Sequence, residues 1–210
     1  DLHEILGAFG RREIRVLLGT QMIAKGLDFP GVRLVGVVSA DTALQLPDFR
    51  ASERTFQLVS QVAGRAGRTA DGPQARVIVQ SMHPDNPAVL HAAAHEWDRF
   101  AEHELAMRAG AGLPPVKRMA RIVFRDRDLD AAMAMANAAA QALSNTNEEI
   151  ELLGPAPCPM ARIDDRHRIG LEVLGETPGT LGRALAKARV AGGLKPGEKM
   201  VIDVDPTTLL

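Results

Sequence analysis

The chain has 210 residues, 46% hydrophobic and 24% charged, a balance typical of one large or two small globular domains. Its formal net charge of −1 excludes a global basic field, so any nucleic-acid binding must come from local patches. A single cysteine, Cys158, excludes both an internal disulfide and a cysteine-cluster zinc site.

That cysteine usage points to a reducing, cytoplasmic compartment. No apolar run is long enough to span a bilayer and no signal-peptide pattern opens the chain, so no membrane partner is expected. Aromatic residues make up 3% and tyrosine is absent, which leaves few platforms for base stacking.

The opening, DLHEILGAFG, carries Leu2, Ile5, Leu6 and Phe9 at helical spacing and predicts a helix capped by Gly10. It has no methionine and no preceding strand, which suggests a piece cut from a longer protein. Ile14 to Leu18 reads as a short buried strand and Val32 to Ser39 as a second. Ser52 to Ala63 places Phe56, Val59 and Ala63 on one helical face, with Ser52 as the expected N-cap. Ala75 to Gln80 is the third expected strand. Strands alternating with helices predict a parallel α/β sheet, whose ligands meet loops at the carboxyl ends of strands.

His83 to Pro87 is a turn cluster, followed by a helical pattern from Ala88 to Met107 that GAGLPP ends at Gly110 to Pro115. Beyond it, Ala120, Ile122 and Phe124 alternate with Arg121, Val123 and Arg125 as in a strand. Asp130 to Ser144 is helical, and Ile150 to Leu153 is a strand ending at Gly154-Pro155. His167 to Leu174 is a strand, Pro178 to Val190 a helix, and Lys199 to Val204 a closing strand. The order β-α-β-β-α-β is the split βαβ, ferredoxin-like pattern.

Two stretches carry chemistry. One is Gly19 to Phe29, GTQMIAKGLDF, leaving the first expected strand; the other is Gln61 to Arg68, QVAGRAGR. In the second, Arg65 and Arg68 each follow a glycine, Gly64 and Gly67, and Gln61 stands four residues before the first arginine. Glycine lets backbone pass close to a ligand, and arginine offers a planar fork of donors matched to phosphate. The run suggests a device for holding developing charge on a nucleoside triphosphate, although short basic runs also occur on solvated helix ends.

The whole stretch GTQMIAKGLDFPGVRLVGVVSADTALQLPDFRASERTFQLVSQVAGRAGR resembles motifs V and VI of a superfamily 2 helicase. More closely, it resembles the PriA family of primosomal replication-restart helicases (primosomal protein N′). The GTQM-x-x-KG-x-x-F element, the AD-x-x-L-x-x-PDFR-x-x-ER-x-x-QL element and the final GRAGR carry that resemblance. Glu104-Leu105, Arg108, Leu113-Pro114-Pro115, Leu153-Gly154-Pro155 and Asp203-Val204-Asp205-Pro206 extend it over most of the chain.

The resemblance implies a fold and a function. The fold is α/β: the end of a RecA-like parallel-sheet helicase lobe over residues 1–83, a helical connector over 84–115, and a smaller α+β, ferredoxin-like C-terminal domain over 116–210. The function is that of the C-terminal portion of an ATP-dependent 3′-to-5′ DNA helicase, acting in primosome assembly and restart of stalled forks. ATP and Mg²⁺ would be bound mainly by an upstream lobe, since no G-x-x-x-x-G-K-[ST] run is present here. Zinc is expected only in an upstream cysteine-rich segment. Forked or single-stranded DNA, the single-stranded DNA-binding protein and primosome or helicase-loading proteins are the implied partners. The alternatives are a non-enzymatic DNA-binding or scaffold module and another superfamily 2 DNA translocase.

By the same resemblance, Arg65 and Arg68 would be arginine fingers reaching a triphosphate, with Gln61 orienting water or phosphate. The bland reading is a basic helix end that compensates the dipole. Gly26, Asp28, Gly64 and Gly67 would line the nucleotide, and Thr20, Gln21 and Lys25 would lie along DNA phosphates. Against this stands a tight turn with Asp28 as a helix cap. Asp41, Asp48, Arg50, Glu53 and Arg54 form either a salt-bridged hinge or plain structural contacts. His91 and His95 have metal-ligand spacing without a third ligand, and a solvated helix face fits them better. Arg162, Arg166 and Arg168 with His167 make a basic hairpin. His167 and Ile169 stand where the family often carries a ring, so phosphate contacts rather than stacking are implied there. Cys158, between prolines, reads as inert.

Overall fold

The structure, a computed structural model, describes residues 1–20, 29, 32–64 and 76–209. The chain divides into two compact units, Asp1–Leu46 with Ala51–Glu102, and Pro47–Arg50 with His103–Leu210.

In the first unit, helix α1 (Leu2–Gly10) begins on a capping box. The Asp1 carboxylate accepts from the His3 amide, and the Glu4 side chain returns to the N-cap backbone. Gly10 is the last helical residue and Arg11 the C-cap, so the helix runs slightly further than its sequence suggests. The strand expected over Ile14 to Leu18 is not formed. Strands β1 (Leu34–Val37) and β2 (Arg76–Val79) pair in parallel only with each other, from Leu34 opposite Arg76 to Val37 opposite Val79. Among the described residues no third strand lies beside them to complete a ladder for residues 14–18. Val16 and Leu18 are accordingly 76% and 89% exposed.

After β1 come the short helix α2 (Asp41–Leu44) and the amphipathic helix α3 (Ala51–Ala63), which buries Thr55, Phe56, Val59 and Val62. Ser52 lies inside the first turn of α3 rather than capping it. The single helix expected over residues 88–107 is two helices, α4 (Pro87–Ala93) and α5 (Trp97–Gly110). His95, at φ 57°, turns the backbone between them. Asn86 caps α4 by accepting from the Ala88 amide at 2.9 Å, and proline suits the first turn because no helical N–H is lost there. The core of this unit is a stack: Phe56 lies 4.2 Å from Phe100, nearly parallel, among Val59, Ala88, Val89 and Ala92.

The second unit contains β3 (Arg118–Asp126), α6 (Leu129–Ser144), β4 (Ile150–Ile163), β5 (Arg166–Gly175), α7 (Pro178–Val190) and β6 (Met200–Val204). The four strands form one antiparallel sheet in the order β4-β5-β3-β6, the split arrangement its element order predicts. One face of the sheet makes the core. Opposed pairs Ala120–Val173, Ile122–Leu171 and Phe124–Ile169 are fully buried against both helices. Helix α6 meets them with Ala132, Ala136, Ala139 and Leu143, one helical stripe whose small side chains permit close approach.

Strand β4 does not stop at Gly154-Pro155; it continues to Ile163 through prolines 155, 157 and 159. It can do so because it is an edge strand, where a missing N–H removes no ladder bond, and because the ladder shifts register twice. At the first shift Gly154 has φ 98°, and a Cβ there would stand 2.9 Å from the Gly170 carbonyl oxygen. Gly154→Ala should therefore cost about 1–3 kcal/mol, from left-handed strain and a backbone clash. A urea midpoint equal to that of the parent chain would refute it.

Near the start of β4, Glu148 receives Arg183 at 3.0 Å and Lys187 at 2.7 Å from α7. The Arg183 hydrogen bond, then that of Lys187, holds the Glu148 carboxyl below the ordinary carboxylate range. A depressed folded-state value means stability that is present above the ordinary range and lost as pH falls through the folded value. Glu148→Gln should thus lower the urea midpoint at neutral pH, and the deficit should vanish under acid. A deficit of unchanged size at acid pH would contradict this linkage.

Candidate functional site

Helix α3 ends at Ala63, directly before the GRAGR run in sequence. Gln61 is half-buried there, and the Gly64 amide still donates to the Ser60 carbonyl at 2.9 Å. A methyl on Gly64 would come no closer than 3.4 Å to the Ser60 oxygen, so packing makes little demand for glycine at that point. Thr20 is exposed at the head of the other stretch. At its far end Phe29 meets Phe9 of α1 edge-to-face, with centroids 4.9 Å apart. Arg65, Arg68, Gly67, Gln21, Lys25, Gly26 and Asp28 lie outside the described residues.

The AD-x-x-L-x-x-PDFR element splits its two aspartates between the units. Asp41 is 3% exposed and accepts from the Ser81 hydroxyl and the Met82 amide, both at 2.9 Å. The Met82 amide foremost, then the Ser81 hydroxyl, holds its carboxyl below the ordinary range, against the burial that pushes it up. Asp41 thereby ties the carboxyl ends of β1 and β2 together. Asp48, seven residues on, belongs to the second unit. It accepts from the Arg50 amide at 3.0 Å, the Thr208 hydroxyl at 3.1 Å and the Leu209 amide at 3.0 Å.

Beside Asp48, Phe49 lies under two guanidinium groups, Arg50 at 5.2 Å and Arg108 at 5.3 Å from its centroid. Arg108 is buried and paired with Glu104 one turn earlier on α5, at 2.8 Å. The sequence names each of these residues, but nothing in their spacing shows that they meet. Residues 47–50 come together with 104–108 and 208–209 only in the folded unit.

The basic hairpin is sorted by its turn. Asp164 and Asp165, at φ 47° and 64°, form a two-residue loop between Ile163 and its partner Arg166. Arg162 stands opposite His167 and pairs with Asp165 at 2.7 Å, both side chains being exposed. Arg166 and Arg168 point to the other face by strand alternation. Arg168 is 7% exposed and donates to the Met160 carbonyl at 3.2 Å.

His91 pairs with Glu96 at 2.9 Å and His95 sits in the interhelical turn. Among the described residues no group of three or more His, Cys, Asp or Glu side chains is placed to hold a metal ion. No helix among them is long and apolar enough to cross a membrane. Cys158 is buried and in no disulfide, 3.4 Å from where a Cβ on Gly170 would stand.

Asp48 accepts from two donors of the C-terminal segment, the Thr208 hydroxyl and the Leu209 amide. Asp48→Ala should destabilise the second unit by about 1–3 kcal/mol through the loss of these hydrogen bonds. It should also speed hydrogen exchange at the Leu209 amide; unchanged exchange and an unchanged unfolding midpoint would remove Asp48 as an anchor.

Both halves of this geometry have counterparts in known proteins. Residues 1–70 match the helicase conserved C-terminal domain, and residues 109–207 match the primosomal protein N C-terminal domain. The chain is 44% identical over 168 residues to "Replication restart protein PriA" of Bacillus subtilis, covering 79% of this chain and 21% of that relative. It is 39% identical over 212 residues to the protein of the same name from Treponema pallidum, covering 100% of this chain and 32% of the relative. With that of Haemophilus influenzae it shares 38% over 198 residues, covering 93% and 27%. The chain thus spans about a third or less of the length of these relatives. With a helicase C-terminal domain and a primosomal C-terminal domain in one sequence, the chain belongs to the PriA family of replication restart proteins.

Proposed function

We propose that this chain serves as the end of the second motor lobe and the C-terminal domain of an ATP-dependent 3′-to-5′ DNA helicase. That helicase would assemble primosomes at stalled forks in the cytoplasm. The observation that carries the reading is the order of two domain matches in one chain, helicase first and primosomal second. Functionally, residues 1–83 act as the motor portion, 84–115 as the connector and 116–210 as the accessory domain.

In this reading the residues divide the labour. Arg65 and Arg68 supply fixed guanidinium groups to the phosphoryl group in transfer, and Gln61 orients the attacking water or the phosphate. Gly26, Gly64 and Gly67 leave room for backbone to approach the nucleotide, and Asp28 accepts from its ribose. Thr20, Gln21 and Lys25 contact one stretch of DNA backbone, with Arg162, Arg166 and Arg168 on a second. ATP and Mg²⁺ are held mainly by a lobe outside this span, and zinc, where used, lies outside it too. DNA, the single-stranded DNA-binding protein and helicase-loading proteins are the proposed partners.

Charge builds on the transferring group as its bond to the leaving group breaks, so a fixed guanidinium favours the transition state over bound ATP. In the intact protein, Arg68→Ala should lower DNA-stimulated ATP turnover by on the order of 10³ or more. DNA affinity without nucleotide should barely change. Arg68→Lys should recover little, because an ammonium lacks the two-pronged geometry. Intact turnover with weakened DNA binding would replace the finger assignment with a basic surface. The 210 residues alone should not hydrolyse ATP, and turnover by the purified chain would overturn that division.

A further inference from the structure

On the sheet face turned away from α6 and α7, two cross-strand pairs between β3 and β5 are charged on both sides. Reading along β3 and β5, Met119 faces Leu174, Arg121 faces Glu172, Val123 faces Gly170, and Arg125 faces Arg168. The pairs differ in how charge is met. Arg121 is buried and its partner across the ladder is a carboxylate 3.6 Å away. Two steps on, Arg125 is met by another arginine. Like charges directly opposed on adjacent strands destabilise a sheet, with Cβ atoms only about 4.5–5.5 Å apart.

Nothing nearby neutralises the second pair. Among the described residues neither Arg125 nor Arg168 forms an ion pair. Arg168 is only 7% exposed and spends one donor on the Met160 carbonyl, inside the register shift of β4 that lies opposite it. The Nε of Arg125 is buried and has no hydrogen-bond partner. The local acids are engaged elsewhere: Asp126 with Lys199, Asp165 with Arg162, and Asp128 as the cap of α6. Just past the last ladder pair, Asp126 with His167, come Arg127, in the bend that follows β3, and Arg166, which alternation puts on the same face as Arg168. Neither forms an ion pair among the described residues.

We infer that Arg125 and Arg168 form a two-arginine clamp for one phosphodiester of a single-stranded nucleic acid, with Arg166 holding the next. Guanidinium forks bind phosphate oxygens bidentately, and a phosphate between two of them converts the repulsion into attraction. Successive pairs along the strands lie two residues apart, roughly 7 Å. That repeat suits consecutive backbone phosphates of an extended strand better than one isolated small anion. The sheet also supplies no aromatic side chain on this face, so the recognition is of backbone and not of base. The inference rests on the DNA reading above and adds β3, which the hairpin pattern did not nominate.

The test uses the purified 210-residue chain and a fluorescent single-stranded deoxyoligonucleotide titrated across a range of salt. Arg125→Gln should flatten the slope of log affinity against log salt by about one unit and weaken different base sequences alike. Arg125→Lys should restore the slope but not the full affinity, since a point charge replaces a fork. Without nucleic acid, Arg125→Gln should raise the melting temperature, because one of two opposed charges is gone. An unchanged slope, or a lowered melting temperature without nucleic acid, would mean that Arg125 is structural and would overturn the clamp. Arg166→Gln separates the two readings. If it flattens the slope and Arg125→Gln does not, the hairpin binds DNA without the clamp. If the parent chain shows no salt-dependent binding, the DNA reading of this domain falls and the clamp with it. Equal competition by inorganic phosphate at the oligonucleotide's phosphate concentration would replace the extended strand with a single-anion site.

Discussion

The register between β3 and β5 is the constraint on which the second unit depends. A shift of one residue would exchange every side chain between the two faces. As formed, it buries Ala120, Ile122 and Phe124 with Val173, Leu171 and Ile169 under α6 and α7. The same register sets the opposite face, where Arg121 meets Glu172 and Arg125 meets Arg168. The core side leaves no freedom to slip, because each pair is fully buried. The charge pattern of the outer face is therefore imposed by packing on the inner one, including a repulsive pair that packing alone would not select. Burial pushes the Glu172 carboxyl up, while the Arg121 guanidinium opposes that shift. Even the compensated pair is thus under desolvation cost, which sharpens the contrast with the uncompensated one.

The AD-x-x-L-x-x-PDFR element shows how one short motif serves two bodies. Asp41 is used up inside the first unit by Ser81 and Met82, and Asp48 inside the second by Thr208 and Leu209. Both carboxylates accept from backbone amides, which is a structural use. The aromatic ring between the motif's polar residues, Phe49, is held by Arg50 and Arg108. A segment of four residues, Pro47–Arg50, thus leaves the first unit and returns to it at Ala51, the start of α3. Helix α3, whose last residue Ala63 directly precedes GRAGR in sequence, begins where that excursion ends. The motif's two aspartates thus satisfy donors that lie far apart along the chain.

Much of the molecule was readable from residue order. The alternation of apolar residues over 120–124, the alanine stripe of α6 and the Pro178 start of α7 each follow from local spacing. So does the arrangement of strands and helices in the second unit, because the element order β-α-β-β-α-β admits few sheets. The family was readable for a different reason. GTQM-x-x-KG, PDFR and GRAGR are combinations of glycine, proline and charge that no packing rule would generate by chance.

Tertiary structure decided what depends on a neighbour. Ile14 to Leu18 has the composition of a strand, yet a strand exists only where another backbone accepts its bonds, and none does among the described residues. Ile150 to Leu153 seemed to end at Pro155, yet an edge position makes proline harmless and β4 runs on to Ile163. Arg162, Arg166 and Arg168 look alike in sequence, and the turn at Asp164-Asp165 gives the first a carboxylate and turns the other two to the opposite face. Arg125 carried no mark at all, being one arginine in an alternating strand. Sequence determined which residues line each face of an element, because side-chain periodicity is local; only the fold determined which residue stands across from which, because strand pairing joins residues 41 to 57 positions apart.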